Sequence, residues 1–386
     1  MRKRVLIICG GKSAEHEVSL VSALSVARAL DRDRFEPVIV AIDRTGRWLL
    51  PGETRALLDR PMGHMPGLAE TREALIDRAR EEVFLRPSGA QGGLVDTARA
   101  GAGGSPLAFD VVLPLVHGTN GEDGKLQGLF ELANVPYAGA GVLGSAIGMD
   151  KDVAKRLLRE AGLPVVPYFA VRAGRWEDAA DRAEREFGYP FFVKPANSGS
   201  SVGVHKVKRR EEARPAFQDA FRFDSKVLAE QACPGQEVEC AVLGNDAPEA
   251  SVVGEILPSH EFYDYAAKYV DEHGAQLIIP ARLAPATAAR VQELALRAFA
   301  ALECEGMARV DFFVTRDAPE GVFLNEVNTI PGFTPISMYP RLWQASGLAY
   351  PALLARLIEL GQERHERKQG LVVDLMADTA RNGQEE

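Results

Sequence analysis

The sequence predicts an α/β fold. Two observations lead there. Apolar runs of strand length recur along the chain, and the first of them alternate with helical patterns, as in a parallel sheet. At ~150 residues per domain, 386 residues suggest two to three domains. Composition agrees: 46% hydrophobic with 26% charged residues is globular rather than disordered. A net charge of −9 argues against a general polyanion binder, so no nucleic-acid partner is expected. The four cysteines form no CxxC pair, which points to a reducing cytoplasm rather than a disulfide framework. No apolar run approaches the ~18 residues of a membrane helix, so no membrane partner is expected.

The elements follow in order. Arg2-Lys3-Arg4 before Val5-Leu6-Ile7-Ile8-Cys9 imitates a signal peptide, but the apolar run is short and reads as a first core strand. Gly10-Gly11 turn the chain, and Ser13 can cap a helix running to about Leu30. A second strand is expected at 38–42 and another at 111–116. Residues 51–106 hold Pro, Gly and short helical patterns and end in a glycine-rich loop at 101–105. A helix is expected over 150–161, stopped by Gly162 and Pro164. Strands at 191–194, 202–207 and 227–231 read as a second sheet, continued at 238–243 and 251–257. A long amphipathic helix spans 284–302, two strands follow at 309–314 and 322–327, and a helix at 351–359 precedes a polar tail expected to fray beyond about Glu366.

Arg309-Val310-Asp311-Phe312-Phe313-Val314 is the local oddity. Period 2 places Arg309, Asp311 and Phe313 on one face, and Glu326 and Asn328 on one face of the next strand. If the strands pair, Asp311, Glu326 and Asn328 converge. Buried carboxylates need a partner or a metal. Two carboxylates and an amide form an all-oxygen set that suits Mg2+ better than zinc. A solvated face with one Arg–Asp pair is the alternative reading.

Phe191 to Val204 reads strand, polar loop, strand. Its small residues let backbone N–H groups approach an anion, with Lys194 at the strand–loop junction within reach of a phosphate. The alternative is an ordinary hairpin turn. Gly124-Lys125 lacks the glycine spacing of a P-loop. Gly139-Ala140-Gly141-Val142-Leu143-Gly144 fits GxGxxG by letter, but the preceding Val135-Pro136-Tyr137 is a poor strand, so turn and close packing are expected instead. His117 to Gly124 ends a strand, where open α/β sheets bind ligands.

Taken together these segments resemble the D-alanine–D-alanine ligase family of the ATP-grasp superfamily. Four strings carry the resemblance, in order: Gly10 to Ser19, His117 to Gly128, Lys194 to Gly203, and Asn325-Glu326-Val327-Asn328-Thr329-Ile330-Pro331-Gly332-Phe333-Thr334. The resemblance implies a Rossmann-like N-terminal domain over 1–139, then two ATP-grasp subdomains with an α+β core, over 140–230 and 231–386. It implies ATP-dependent joining of two D-alanines through a D-alanyl phosphate. ATP and Mg2+ are the expected cofactors, two metal ions with Mn2+ as a substitute, and a homodimer is expected.

Residue by residue, the resemblance implies that Asp311, Glu326 and Asn328 hold metal. Lys151, Lys194, Ser200, Ser201, Lys268 and Asn325 would face the nucleotide. Glu230 would accept from the adenine amino group, Cys233 lies in the adenine hinge, and Glu237 would hold the ribose. Arg309 and the Gly332 backbone N–H would stabilise the oxyanion. Glu15 resembles the carboxylate that holds the first D-alanine's ammonium, grouped with Ser200 and Tyr269; read locally, it could equally be a Glu favoured near a helix N-terminus. His117 would lie near the first alanine's carboxylate, and Ser337 and Met338 would grip the second. Residues 261–269 resemble a mobile loop over the site, and its Lys268-Tyr269 pair favours an amine acceptor over lactate. Two places differ from the family: the insertion at 51–106, and the hinge Glu230-Gln231-Ala232-Cys233, where relatives often carry Lys after the Glu.

Overall fold

In the computed structural model the described residues are 2–49, 83–86, 93–96, 107–174, 176–258 and 275–372. The sheets are α/β in arrangement, as expected.

The first sheet is parallel, with β1 (Lys3–Gly10) between β2 (Phe35–Ile42) and β6 (Val111–Pro114). Val5 to Cys9 are wholly buried, because both faces of β1 are covered, which explains an unbroken apolar run. Helix α1 (His16–Ala29) follows β1. Ser13 does not cap it. Its Oγ accepts from the Glu15 N–H at 3.0 Å in a local turn, and the helix starts at His16. A small antiparallel sheet joins β3 (Val83–Arg86), β4 (Gly93–Asp96) and β5 (Leu107–Ala108). The rest of 51–106 lies outside the described residues.

Helices α2 (Lys125–Leu132) and α3 (Val142–Met149) lead to α4 (Lys151–Glu160). Asp150 caps α4, its Oδ1 accepting from the N–H groups of Asp152 and Val153 at 3.1 Å each. Gly162 ends it at φ 70°, the left-handed stop expected. The glycines at 139–144 serve close packing: a Cβ on Gly144 would stand 2.5 Å from the Glu303 carbonyl oxygen.

The second sheet orders as β7 (Tyr168–Arg172), β10 (Lys226–Gln231), β8 (Phe191–Pro195) and β9 (His205–Val207), all antiparallel. Helices α5 (Glu177–Phe187) and α6 (Arg210–Ala220) cover it. Strand β9 is shorter than the expected 202–207. Ser200, Ser201 and Gly203 take φ of 46°, 60° and 73°, a left-handed run no strand accommodates.

The third sheet orders as β13 (Ala275–Ile278), β12 (Glu249–Pro258), β11 (Gln236–Gly244), β14 (Gly306–Val314) and β15 (Val322–Asn328). Helix α7 (Pro285–Ala301) packs on one face with α4. On the other, α8 (Met338–Ala345) and α9 (Tyr350–Gln369) share one hydrophobic core with β1 and α1, binding the first sheet to the third. The tail expected to fray beyond about Glu366 is helical to Gln369, and its residues 373–386 lie outside the described residues. Lys368 pairs with Glu131 at 2.5 Å and the Gln369 amide donates to Asn134 at 2.6 Å, so both are held by the end of α2 and the turn after it.

Candidate active site

The hairpin of β14 and β15 sets the floor of the site. Arg309 pairs with Asn328 and Asp311 with Glu326 in register, and an irregularity follows Asp311. The expected convergence is therefore present. Arg309 donates twice to Asp311, Nε to Oδ1 at 2.8 Å and Nη2 to Oδ2 at 2.7 Å, while the Asn328 amide donates to Oδ2 at 3.0 Å. Lys151, at the start of α4, approaches Glu326 at 3.4 Å and donates to the Ser198 carbonyl at 2.7 Å. Burial works against the Arg309 charge, but Asp311, Glu239 and Glu326 together hold its pKa well above the ordinary value.

Among the described residues no three His, Cys, Asp or Glu side chains converge as a metal cage. The set is two carboxylates and an amide. That fits a hard cation which shares its coordination with phosphate oxygens and water. Asn328 presents its nitrogen to Asp311, so its ligating oxygen requires the amide turned over.

The opposite wall comes from the first sheet and the polar loop after β8. The Ser200 hydroxyl donates to the Glu15 carboxylate, joining residues far apart in sequence. Glycines make room for that carboxylate. A Cβ on Gly118 would stand 2.6 Å from Glu15 Oε2, and one on Gly199 2.5 Å. His117 is buried near the start of the loop after β6. Its Nδ1 lies 3.0 Å from the Ile330 carbonyl, its Nε2 3.2 Å from Ser22 Oγ, and Glu122 is 3.6 Å away. Burial opposes protonation of His117, but the Glu122 and Glu15 carboxylates and the Ile330 carbonyl together outweigh it and raise the imidazole pKa. Burial likewise raises Glu122.

Between these walls stands the N-terminus of α8. Ser337 precedes it and Met338 is its first residue, so the first-turn N–H groups face the cleft. The Ser337 hydroxyl accepts from the Thr334 N–H at 3.0 Å, and a Cβ on Gly332 would come within 2.7 Å of it. Glu15, His117, Ser200, Glu237, Arg309, Asp311, Asn325, Glu326, Asn328, Gly332, Ser337 and Met338 all line this one cleft.

Lys194 and Glu230, expected on the nucleotide side, are buried. Lys194 on β8 donates to Glu230 Oε1 at 2.5 Å and to the Asn325 amide oxygen at 3.4 Å. It is thus engaged with the residue expected to meet adenine. Ser201 holds its left-handed conformation in the loop. The Cys233 thiol is half-buried, and burial pushes its pKa up to about 11. Lys268 and Tyr269 lie outside the described residues.

Three site residues escaped the sequence reading. Glu239, on β11 directly across from Asp311, pairs with Arg309 at 3.0 Å. Its signal was the shared strand face with Glu237, two residues before. Lys155 on α4 pairs with Glu230 Oε2 at 2.7 Å. It stands one helical turn from Lys151, on the same face. Glu122, five residues after His117 in the same loop, is half-buried and stands 3.6 Å from the imidazole.

A family model described as D-ala D-ala ligase N-terminus matches residues 4–140, and its C-terminal counterpart matches 157–359. A D-alanine–D-alanine ligase of Oceanobacillus iheyensis is 48% identical over 374 residues, 96% of this chain and 98% of that one. The D-alanine–D-alanine ligase A of Chromobacterium violaceum is 50% identical over 95% of this chain and 97% of its own. Among solved structures, the D-alanine–D-alanine ligase of Coxiella burnetii superposes with a TM-score of 0.80 at 37% identity, covering 99% of both chains. The VanG D-Ala:D-Ser ligase of Enterococcus faecalis gives 0.78 at 35% identity, covering 94% of this chain and 100% of its own.

Proposed function

The chain belongs to the D-alanine–D-alanine ligase family and is an ATP-dependent ligase, and on that premise we propose how its residues divide the work. The reaction joins two D-alanines with cleavage of ATP to ADP and phosphate. The observation that carries the residue assignment is the Glu15–Ser200 contact standing in the same cleft as the Arg309–Asp311 group.

A carboxylate is a poor electrophile. Transfer of the γ-phosphoryl group makes the first D-alanine an acyl phosphate with a good leaving group. The second amine then attacks, through a tetrahedral intermediate. Such transfer needs positioning and neutralised charge more than covalent help. Glu15, oriented by Ser200, holds the first ammonium, and Tyr269 completes that group. His117, whose protonation a Glu122 carboxylate favours, lies near the first carboxylate. Ser337 and the first-turn N–H of Met338 receive the second carboxylate, so both alanines are fixed by their ends. Arg309 and the Gly332 N–H stabilise the developing oxyanion; Asp311 and Glu239 fix the guanidinium before charge develops, so no reorganisation is needed then.

On the nucleotide side, Lys151, Lys194, Ser200, Ser201, Asn325 and Lys268 face the phosphates, Glu230 and Cys233 the adenine, and Glu237 the ribose. Asp311, Glu326 and Asn328 would hold Mg2+, which neutralises phosphate charge when bound. The three sheets support a division into regions 1–139, 140–230 and 231–386. Among the described residues no helix is long and apolar enough to cross a membrane. A homodimer in the cytoplasm, supplying peptidoglycan precursors, completes the reading.

The test is product identification. Purified protein with ATP, Mg2+ and D-alanine should give D-alanyl-D-alanine with matching phosphate, and none with L-alanine. Parallel tubes with added D-serine or D-lactate check the acceptor. A dominant mixed product at neutral pH would keep the mechanism and overturn the acceptor.

A further inference from the structure

Glu230 is buried between two lysines. Lys194 holds Oε1 at 2.5 Å and Lys155 holds Oε2 at 2.7 Å. Their environments differ. Lys194 sits at the edge of the polar loop and also reaches Asn325, next to Glu326. Lys155 is 1% exposed, its ammonium 5.6 Å over the Tyr168 ring, and that ring is fixed by a bond from its hydroxyl to the Asp152 carbonyl at 3.1 Å. Lys194 therefore has somewhere to go and Lys155 does not.

The proposed function gives Lys194 two incompatible duties. It cannot both neutralise Glu230 and bind a phosphate. If it left and no other cation remained, Glu230 would be a buried carboxylate without a counter-charge, and such a group takes up a proton and becomes a weaker acceptor. We infer that Lys155 is the positioning residue that keeps Glu230 an ionised acceptor for the adenine amino group after Lys194 turns to the phosphates. The oxygen Lys194 vacates is the one left to adenine, while Lys155 keeps the other. A second, immovable cation makes the movement of the first affordable within a buried site. This inference rests on Glu230 meeting adenine.

The experiment compares ATP with purine riboside triphosphate, which lacks only the 6-amino group. A hydrogen bond to a charged acceptor supports roughly a 10- to 100-fold preference for ATP in kcat/KM for the unaltered protein. In Lys155→Met that preference should collapse to within about 3-fold, through KM for ATP, with the analogue's constants and the KM for D-alanine little changed. Glu230→Gln should lose the preference as well, and the double variant should lose no more than either single one, since both act through one group. If Lys155→Met does not fold by circular dichroism, Lys155→Gln is read in its place. A folded variant that keeps the preference overturns the inference. So does an equal fall in kcat with both nucleotides, which is the signature of a scaffold role. No preference in the unaltered protein would instead overturn the assignment of Glu230 to adenine, and the inference with it.

Discussion

Gly199→Ala isolates the Glu15 carboxylate without touching it. Gly199 does not need glycine for its backbone, since it lies outside the left-handed region. What it lacks is room: the added Cβ would stand 2.5 Å from Glu15 Oε2, 3.3 Å from Cδ and 3.6 Å from Oε1. The clash is with the far end of a flexible side chain, so the fold yields cheaply and the carboxylate moves. Restoring ordinary contact near ~3.5 Å needs a displacement of about 1 Å. That shift breaks the Ser200 contact and misplaces the group meant for the first ammonium. A misplacement of about 1 Å removes on the order of 100-fold in rate, and the lost charge-assisted bond is worth about 1.5–3 kcal/mol. Steady-state kinetics with D-alanine varied should show kcat/KM at the first site down about 10- to 100-fold, with KM for ATP nearly unchanged. The melting temperature should stay within ~2 °C of the unaltered protein. Gly128→Ala is the control. It lies inside α2 with nothing within 4 Å of its Cβ, and should be neutral in activity and stabilise by up to ~1 kcal/mol. A Gly199→Ala protein with kcat/KM within 3-fold would refute the placing of Glu15.

Other outcomes follow from the buried charges. Lys226→Met removes the cation 2.6 Å from Asp150 and 3.1 Å from Asp152, and should destabilise by about 3–5 kcal/mol in denaturant unfolding; less than ~1 kcal/mol would mean those acids have water. Arg364→Met loses donation to the carbonyls of Gly139 and Tyr137 and the stack over Tyr137 at 4.1 Å, and should cost about 3 kcal/mol or more by the same measurement. His117 has a raised folded-state pKa, so its pairing with Glu122 stabilises fully below the unfolded value near ~6.5 and is lost as pH rises through the folded one. Glu122→Gln should lower the imidazole titration seen by NMR, and an unmoved midpoint would sever the pair.

Patterns repeated along the chain made the skeleton legible. The run at β1, the glycine stop at Gly162 and the alternation in β14 each predicted an element close to its observed bounds. Period 2 alone placed Asp311, Glu326 and Asn328 together once the hairpin was granted. Ser13 misled because a hydroxyl before an apolar period serves a cap or a local turn equally well, and the choice lies with the chain beyond it. Strand β9 was overdrawn because β-branched Val202 and Val204 flank Gly203, while the left-handed backbone at 200, 201 and 203 is a property of the loop as a whole. The tail was underdrawn because its polar residues meet partners more than 200 positions away in sequence, Glu131 and Asn134.

What stayed hidden has a common cause. Lys155 and Arg364 look like solvated charges on any local criterion, and both are buried. A charge enters a protein interior only where an opposite charge or carbonyl meets it, and those partners lie on other elements: Glu230 on β10 for Lys155, the 137–139 bend for Arg364. Local sequence holds one half of each pair. The unmatched half, not the apolar residue, is the informative one, because an apolar side chain can be buried against almost anything. Lys151 and Lys155 on one face of α4 make the point usable. Two cations a turn apart on a buried helix face require two anions on the strands that face meets, and Glu326 on β15 and Glu230 on β10 are those anions.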